Sequence, residues 1–173
     1  MKARHIAAGL LAAVLVSGGV AQARIGAGKA SFDESAMVKK LGYKPMSQQR
    51  IVQGTYKDHT AYQYMAPDSR SFIDIIISPK GVIVEQAMLL PIQPNPIDAA
   101  RFVEFMREAT NNKADMNAVF EFMYHAVQPP EGSDEPPKES HKRFGSFMLH
   151  AYPLVGIVVD VKVTAASGGG AQQ

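Results

Sequence analysis

The stretch that decides the fold is residues 71–90, SFIDIIISPKGVIVEQAMLL. Two apolar, β-branched runs, Phe72–Ile77 and Val82–Val84, are separated by the turn residues Ser78-Pro79-Lys80-Gly81. Proline fits the second position of a type I turn, and glycine provides the positive φ that a following bulge needs. The stretch therefore predicts an antiparallel β-hairpin as the centre of the fold.

Beyond the hairpin, the pattern predicts two helices and then two strands. Asn95, with Pro96 in the first helical position, predicts one helix start, and a second helix is predicted to begin near Asp115. The segments Phe144–Tyr152 and Leu154–Thr164 predict strands. The second has the alternating apolar face that is typical of a half-exposed antiparallel sheet.

Before the hairpin, the Gly/Ala-rich segment Arg24–Ser31 is predicted to be loose, and a short helix is predicted to begin at Asp33 or Ser35. Arg50–Tyr56 and Thr60–Met65 are predicted strands. Because strands precede and follow the helical part, we expect an α+β fold. It would have an antiparallel sheet of about six strands with two main helices packed on one face.

The first 23 residues have the pattern of a signal peptide. A basic start, an uncharged run over residues 6–16 and the small-x-small sequence Ala21-Gln22-Ala23 predict cleavage between Ala23 and Arg24. The run is shorter than the ~20 residues needed to span a bilayer, so no stable membrane insertion is expected after cleavage. The predicted location is a bacterial periplasm or, failing that, the secreted fraction.

The rest of the chain is predicted to form a single domain over residues 24–165. Within it, residues 128–143 combine four prolines with four acids and lack apolar periodicity, which predicts an exposed, mobile loop. Residues 166–173 are predicted to be a disordered tail.

Composition excludes several classes of protein. The full chain has 18 basic and 16 acidic residues, and losing Lys2 and Arg4 with the signal peptide makes these numbers equal. Without a basic cluster, nucleic acid is not an expected partner. The absence of cysteine excludes disulfides and cysteine-ligated metals. Residues 26–30 lack the earlier glycine and the Ser or Thr of a phosphate loop, so no cofactor is predicted.

Asp74 and Glu85 are the candidate paired carboxylates. Simple reflection of the hairpin places them opposite each other on one face, where two acids can take different pKa values and share acid/base work. A bulge at Gly81 would instead shift the register by one residue and separate them onto opposite faces. The sequence leaves both arrangements open and pairs no nucleophile with a base, so no catalytic residue is predicted.

Met148 and His150 are two residues apart on a predicted strand and therefore share a face, an arrangement that can bind copper. The other methionines are scattered, and filling the core is the commoner role of such residues. No metal site is predicted.

The acids of the predicted loop are its candidate binding residues, since they suit a basic partner surface. They are Glu131, Asp134, Glu135 and Glu139.

Three functions remain open. The first is an exported, non-enzymatic binding protein that holds another envelope protein or ligand by its sheet face, a strand edge or this loop. The second is a small hydrolase with sheet-face carboxylates, and the third is an inhibitor or immunity-type protein of an exported enzyme.

Overall fold

A computed structural model describes residues 24–128, 138–154 and 158–166. The fold is α+β, with one antiparallel sheet of seven strands in the order β1-β2-β3-β4-β7-β6-β5. The strands are β1 (Lys44–Arg50), β2 (Thr60–Met65), β3 (Phe72–Ile77), β4 (Ile83–Pro91), β5 (Ser140–Phe144), β6 (Phe147–Leu154) and β7 (Val158–Ala165). The helices are α1 (Lys29–Asp33), α2 (Ala36–Lys39), α3 (Pro96–Thr110) and α4 (Met116–Ala126).

The central hairpin forms as predicted. The amide N–H of Gly81 donates to the carbonyl of Ser78 at 2.8 Å, and Gly81 has φ +80°. Both main helices begin at the predicted caps. Asn95 and Asp98 form a reciprocal capping box at α3, and the Asp115 side chain accepts backbone N–H groups at α4.

Three local predictions are wrong. The first strand is Lys44–Arg50, and not Arg50–Tyr56, because the polar sequence KPMSQQR forms an exposed edge that lacks an apolar pattern. The short helix α1 begins at Lys29, inside the segment predicted to be loose, and continues to Asp33. The sheet has seven strands rather than about six, because β5 forms an edge strand whose first four residues lie in the predicted loop and are too polar to be recognised.

The core lies between one face of the sheet and the helices. Alternate strand residues such as Ile73, Ile75 and Val161 are fully buried there with Phe105 of α3 and Val119 of α4. We call this face of the sheet the covered face. Among the described residues, no helix is long and apolar enough to cross a membrane.

Two buried acids join the helical layer to the rest of the fold. The Glu108 carboxylate accepts the backbone N–H groups of Ala36 and Met37 at 2.6 and 3.2 Å, which attaches α2 to α3. Asp98 binds the Arg70 guanidinium at 2.8 Å and lies 3.7 Å from that of Arg101. These contacts hold the β2–β3 turn against the start of α3.

Candidate functional site

The candidate site lies on the other side of the sheet, which we call the open face, since the helices pack on the covered face. A single row of directly paired residues crosses all seven strands of this face. From β1 to β5 this central row is Ser47, Gln63, Asp74, Ala87, Lys162, His150 and His141. Apart from Ala87, the row is polar throughout, as is usual for the solvent-facing side of an antiparallel sheet. What makes it a candidate binding surface is the set of charged and aromatic side chains at its centre.

Lys162 carries the positive charge in the middle of this row. Its ammonium lies 3.7 Å from the Asp160 carboxylate and 5.0 Å from the centre of the Tyr152 ring, and the side chain is 33% exposed. Asp74 lies on the other side of Ala87 in the same row. The small alanine side chain therefore separates the lysine from a second acid.

The acids around Lys162 exceed the positive charge available to them. Burial raises the pKa of Asp74, although the Gln63 side chain and Lys162 oppose that shift. Burial also raises the pKa of Asp160, and the charges of Asp74 and Glu85 raise it further against the effect of Lys162. Asp74 and Asp160 thus share the Lys162 ammonium, with the charge of Glu85 nearby.

Aromatic rings continue the site toward β5. The His150 ring stacks on the Tyr152 ring with an interplanar angle of 12°, and the His141 ring lies 5.9 Å from that of His150. The Glu139 carboxylate lies 3.8 Å from Nδ1 of His150. Burial and Glu139 together raise the pKa of the Tyr152 hydroxyl. The flat rings with an acid at their edge can pack against a planar or cationic group.

The connection between β1 and β2, residues 51–59, reaches the same face, and we call it the strap. The Tyr56 hydroxyl donates a hydrogen bond of 2.9 Å to Glu85 on β4. Because β4 is two strands away from β2, the strap crosses part of the open face to make this contact. Glu85 is only 8% exposed.

The predicted pair of acids takes neither expected arrangement. The Gly81 bulge shifts the register by one residue, and a second irregularity beside Ile76 shifts it again. Asp74 therefore pairs with Ala87, and Glu85 pairs with Ile76. The two acids share the open face but lie on a diagonal, where Cα atoms are about 7–8 Å apart.

The other predicted residues fall in different places. Glu139 lies at the edge of the open face, whereas Glu131, Asp134 and Glu135 lie outside the described residues, as does Ala23 of the predicted cleavage site; Arg24 is the first described residue. Met148 and His150 do share the open face. Within the described ranges, no three His, Asp or Glu side chains form a group that could hold a metal ion.

Both edges of the sheet carry features that disfavour pairing with another strand. At β1, Pro45 lacks a backbone donor and the register is irregular beside it, with Lys44 and Arg50 at the two ends. At β5, the strand is five residues long and exposes His141, Lys142 and Arg143. Prolines, bulges, short length and charge are the usual protections of an edge strand.

A shallow groove of about 400 Å³ lies beside β1 and is lined by Lys29, Met46 and Tyr62, among others. The Lys29 ammonium contacts the Asp33 carboxylate at 2.6 Å and lies over the Tyr62 ring. Its charge is thus balanced within the protein, so the groove is a weaker candidate than the open face.

Sequence reasoning missed Lys162, Tyr152 and Tyr56 as members of one site. The alternation in the last strand does place Asp160 and Lys162 on its polar face. However, nothing local shows that β7 lies between β4 and β6, which is what brings Lys162 opposite Ala87.

Comparison of the chain with protein-family models, with curated proteins and with solved structures finds no match in any of the three.

Proposed function

We propose that this is an exported, non-enzymatic binding protein that holds a basic segment of another envelope protein on its open face. The observation that carries the proposal is the sharing of the Lys162 ammonium by Asp74 and Asp160, with the Glu85 charge beside them, on the face that the helices leave uncovered. Export rests on the signal-peptide pattern, and the exported protein should begin at Arg24.

The electrostatics favour a cationic partner. A raised carboxyl pKa means that the surroundings favour the neutral form, as they do for Asp74 and Asp160. A lysine or arginine side chain placed between these acids would favour the charged form and would form charge-assisted hydrogen bonds. Binding would therefore relieve an unfavourable feature of the free protein.

The open face also has a suitable size and composition. Seven strands at about 4.8 Å spacing span roughly 29 Å between the outer strands, and an eight-residue strand such as β7 is roughly 26 Å long. The face therefore has an area of roughly 750 Å², comparable with the ~800 Å² that each partner buries in a standard interface. Half-buried apolar residues, including Phe72, Ile76 and Leu89, flank the central row. Apolar area with a few directed polar groups is typical of a protein interface.

The protected edges favour binding to the face over strand addition. A partner that extended the sheet would have to pair with Pro45 and the irregular register of β1, or with the charged residues of β5. Binding to the open face requires no pairing with either edge strand.

The test is binding of a fluorescent peptide of alternating lysine and alanine to the purified protein, measured by anisotropy. We expect the double variant Asp74→Asn/Asp160→Asn to weaken binding at least tenfold, and added salt to weaken binding of the wild type. Glu121→Gln, an exposed acid on α4, is the matched control and should bind like the wild type. Equal binding of a glutamate–alanine peptide, or unchanged binding by the double variant, would refute the proposal.

The raised pKa values of two carboxylates on one face also favour a second candidate function, a small hydrolase that uses Asp74 and Asp160 in acid/base catalysis. Turnover of a hydrolase substrate that is lost in Asp74→Asn but kept in Glu121→Gln would support this function over binding alone.

A further inference from the structure

The strap is closed at its base by contacts of its own. The backbone N–H of Ile51 donates to the carbonyl of His59, and the N–H of Asp58 donates to the carbonyl of Ile51, each at 2.8 Å. The Arg50 guanidinium contacts the Asp58 carboxylate at 2.8 Å. The strap therefore behaves as a compact loop whose two ends stay together.

The remainder of the strap is mostly in solvent. Residues 52–55 and 57–58 are exposed, with Val52 75% exposed. The ion pair at the base is itself exposed, and such pairs add little stability. Among the contacts of the described residues, the hydrogen bond from Tyr56 to Glu85 is the polar one that joins the strap to β4.

We propose that the strap is a gate on the open face: the Tyr56 hydroxyl occupies Glu85 in the free protein, and a basic group of the partner replaces it. Glu85 would then be a binding carboxylate that is uncovered when the strap moves away. This inference rests on the proposed function, since it names a residue and a regulating contact of the same binding surface.

Replacing the Tyr56 hydroxyl by a basic group of the partner gives the Glu85 carboxylate a stronger hydrogen-bond donor. The tyrosine hydroxyl is a neutral donor, whereas a lysine or arginine donates charge-assisted hydrogen bonds, which are about twice as strong. Burial and the neighbouring Glu85 both raise the pKa of Tyr56, so the hydroxyl stays protonated and keeps its role as a donor at neutral pH. The partner must nevertheless compete with this contact, so the closed strap lowers the apparent affinity.

The variant Tyr56→Phe tests the gate, because it keeps the ring and removes the hydroxyl. We expect the lysine–alanine peptide to bind roughly tenfold tighter, since the competing hydrogen bond to a charged group is gone. Adding Glu85→Gln to this variant should remove the gain. Tyr124→Phe, an exposed tyrosine on α4, is the matched control.

A second measurement covers the case in which a variant folds poorly. In the wild type, adding the peptide should shift the NMR signals of the Tyr56 ring, because its hydroxyl leaves Glu85. If the wild type binds the peptide but Tyr56→Phe binds equally or more weakly, or if the Tyr56 signals do not move, the gate is wrong while the proposed function stands. If no variant binds the peptide, the proposed function itself is wrong.

Discussion

The two faces of the sheet use their acids in different ways. In the helical layer of the covered side, Asp98 caps α3 and contacts two arginines, while Glu108 accepts two backbone N–H groups. On the open face, Asp74 and Asp160 share Lys162. The covered acids join separate elements of the fold, whereas the described partners of Asp74 and Asp160 are side chains of the sheet itself.

This difference teaches how one strand can serve two purposes. Because side chains alternate between the faces, Ile73 and Ile75 build the core while Asp74 between them faces outward. The residues that stabilise the fold and those proposed to bind the partner therefore lie on different faces. Substitutions on the two faces should affect different properties.

The largest effect is expected for Asp98→Ala. The variant removes the Asp98 half of the capping box of α3 and leaves Arg101, whose side chain is 8% exposed, without one of its acidic neighbours. We expect a loss of about 3 kcal/mol in the free energy of unfolding, measured by urea denaturation.

Asp115→Ala is the matched control, since it removes an exposed cap of α4 that has no arginine partner among the described contacts. It should cost about 1 kcal/mol. If Asp98→Ala lowers the free energy of unfolding by no more than Asp115→Ala does, the ion pairs of Asp98 do not contribute to stability.

Glu108→Gln should have an intermediate effect that depends on pH. Burial raises the pKa of Glu108 to about 7, so the folded protein holds the proton more tightly than the unfolded chain does. Stability from this group is therefore fully present below the unfolded pKa and is lost as the pH rises through about 7. Glutamine imitates the neutral form and should stabilise the protein by about 1–3 kcal/mol at pH 8 but not at pH 4.

Glu121→Gln, an exposed acid on α4, controls for the loss of a charge from the helical layer. Urea denaturation at several pH values should give parallel curves for this control and the wild type. A Glu108→Gln variant that follows the same pH dependence as the wild type would contradict the assignment.

The elements with strong local signals could be predicted from the sequence. The α+β class, the hairpin around Gly81 and the capped starts at Asn95 and Asp115 follow from turn chemistry and apolar spacing. The two edge strands could not be predicted, because an exposed strand needs no apolar face and β5 reads as a polar loop.

The site was harder to predict than the fold. It depends on the placement of β7 between β4 and β6 and on two register shifts in the hairpin, none of which a local pattern encodes. Asp74, Glu85 and Glu139 were candidates from their chemistry alone, whereas Lys162 and Tyr56 acquire meaning only through neighbours distant in sequence.

The smallest effect on stability is expected for Asp74→Asn and Asp160→Asn. Since their raised pKa values show that the charged forms are disfavoured in the folded protein, removing either charge at pH 7 should leave stability unchanged or raise it by no more than about 0.5 kcal/mol. Urea denaturation would measure this beside the peptide-binding assay. A variant that stays stable but no longer binds the peptide would indicate that these acids serve partner binding, since functional sites commonly give up some stability. Destabilisation by 2 kcal/mol or more would instead assign these acids to the fold and remove the contrast between the two faces.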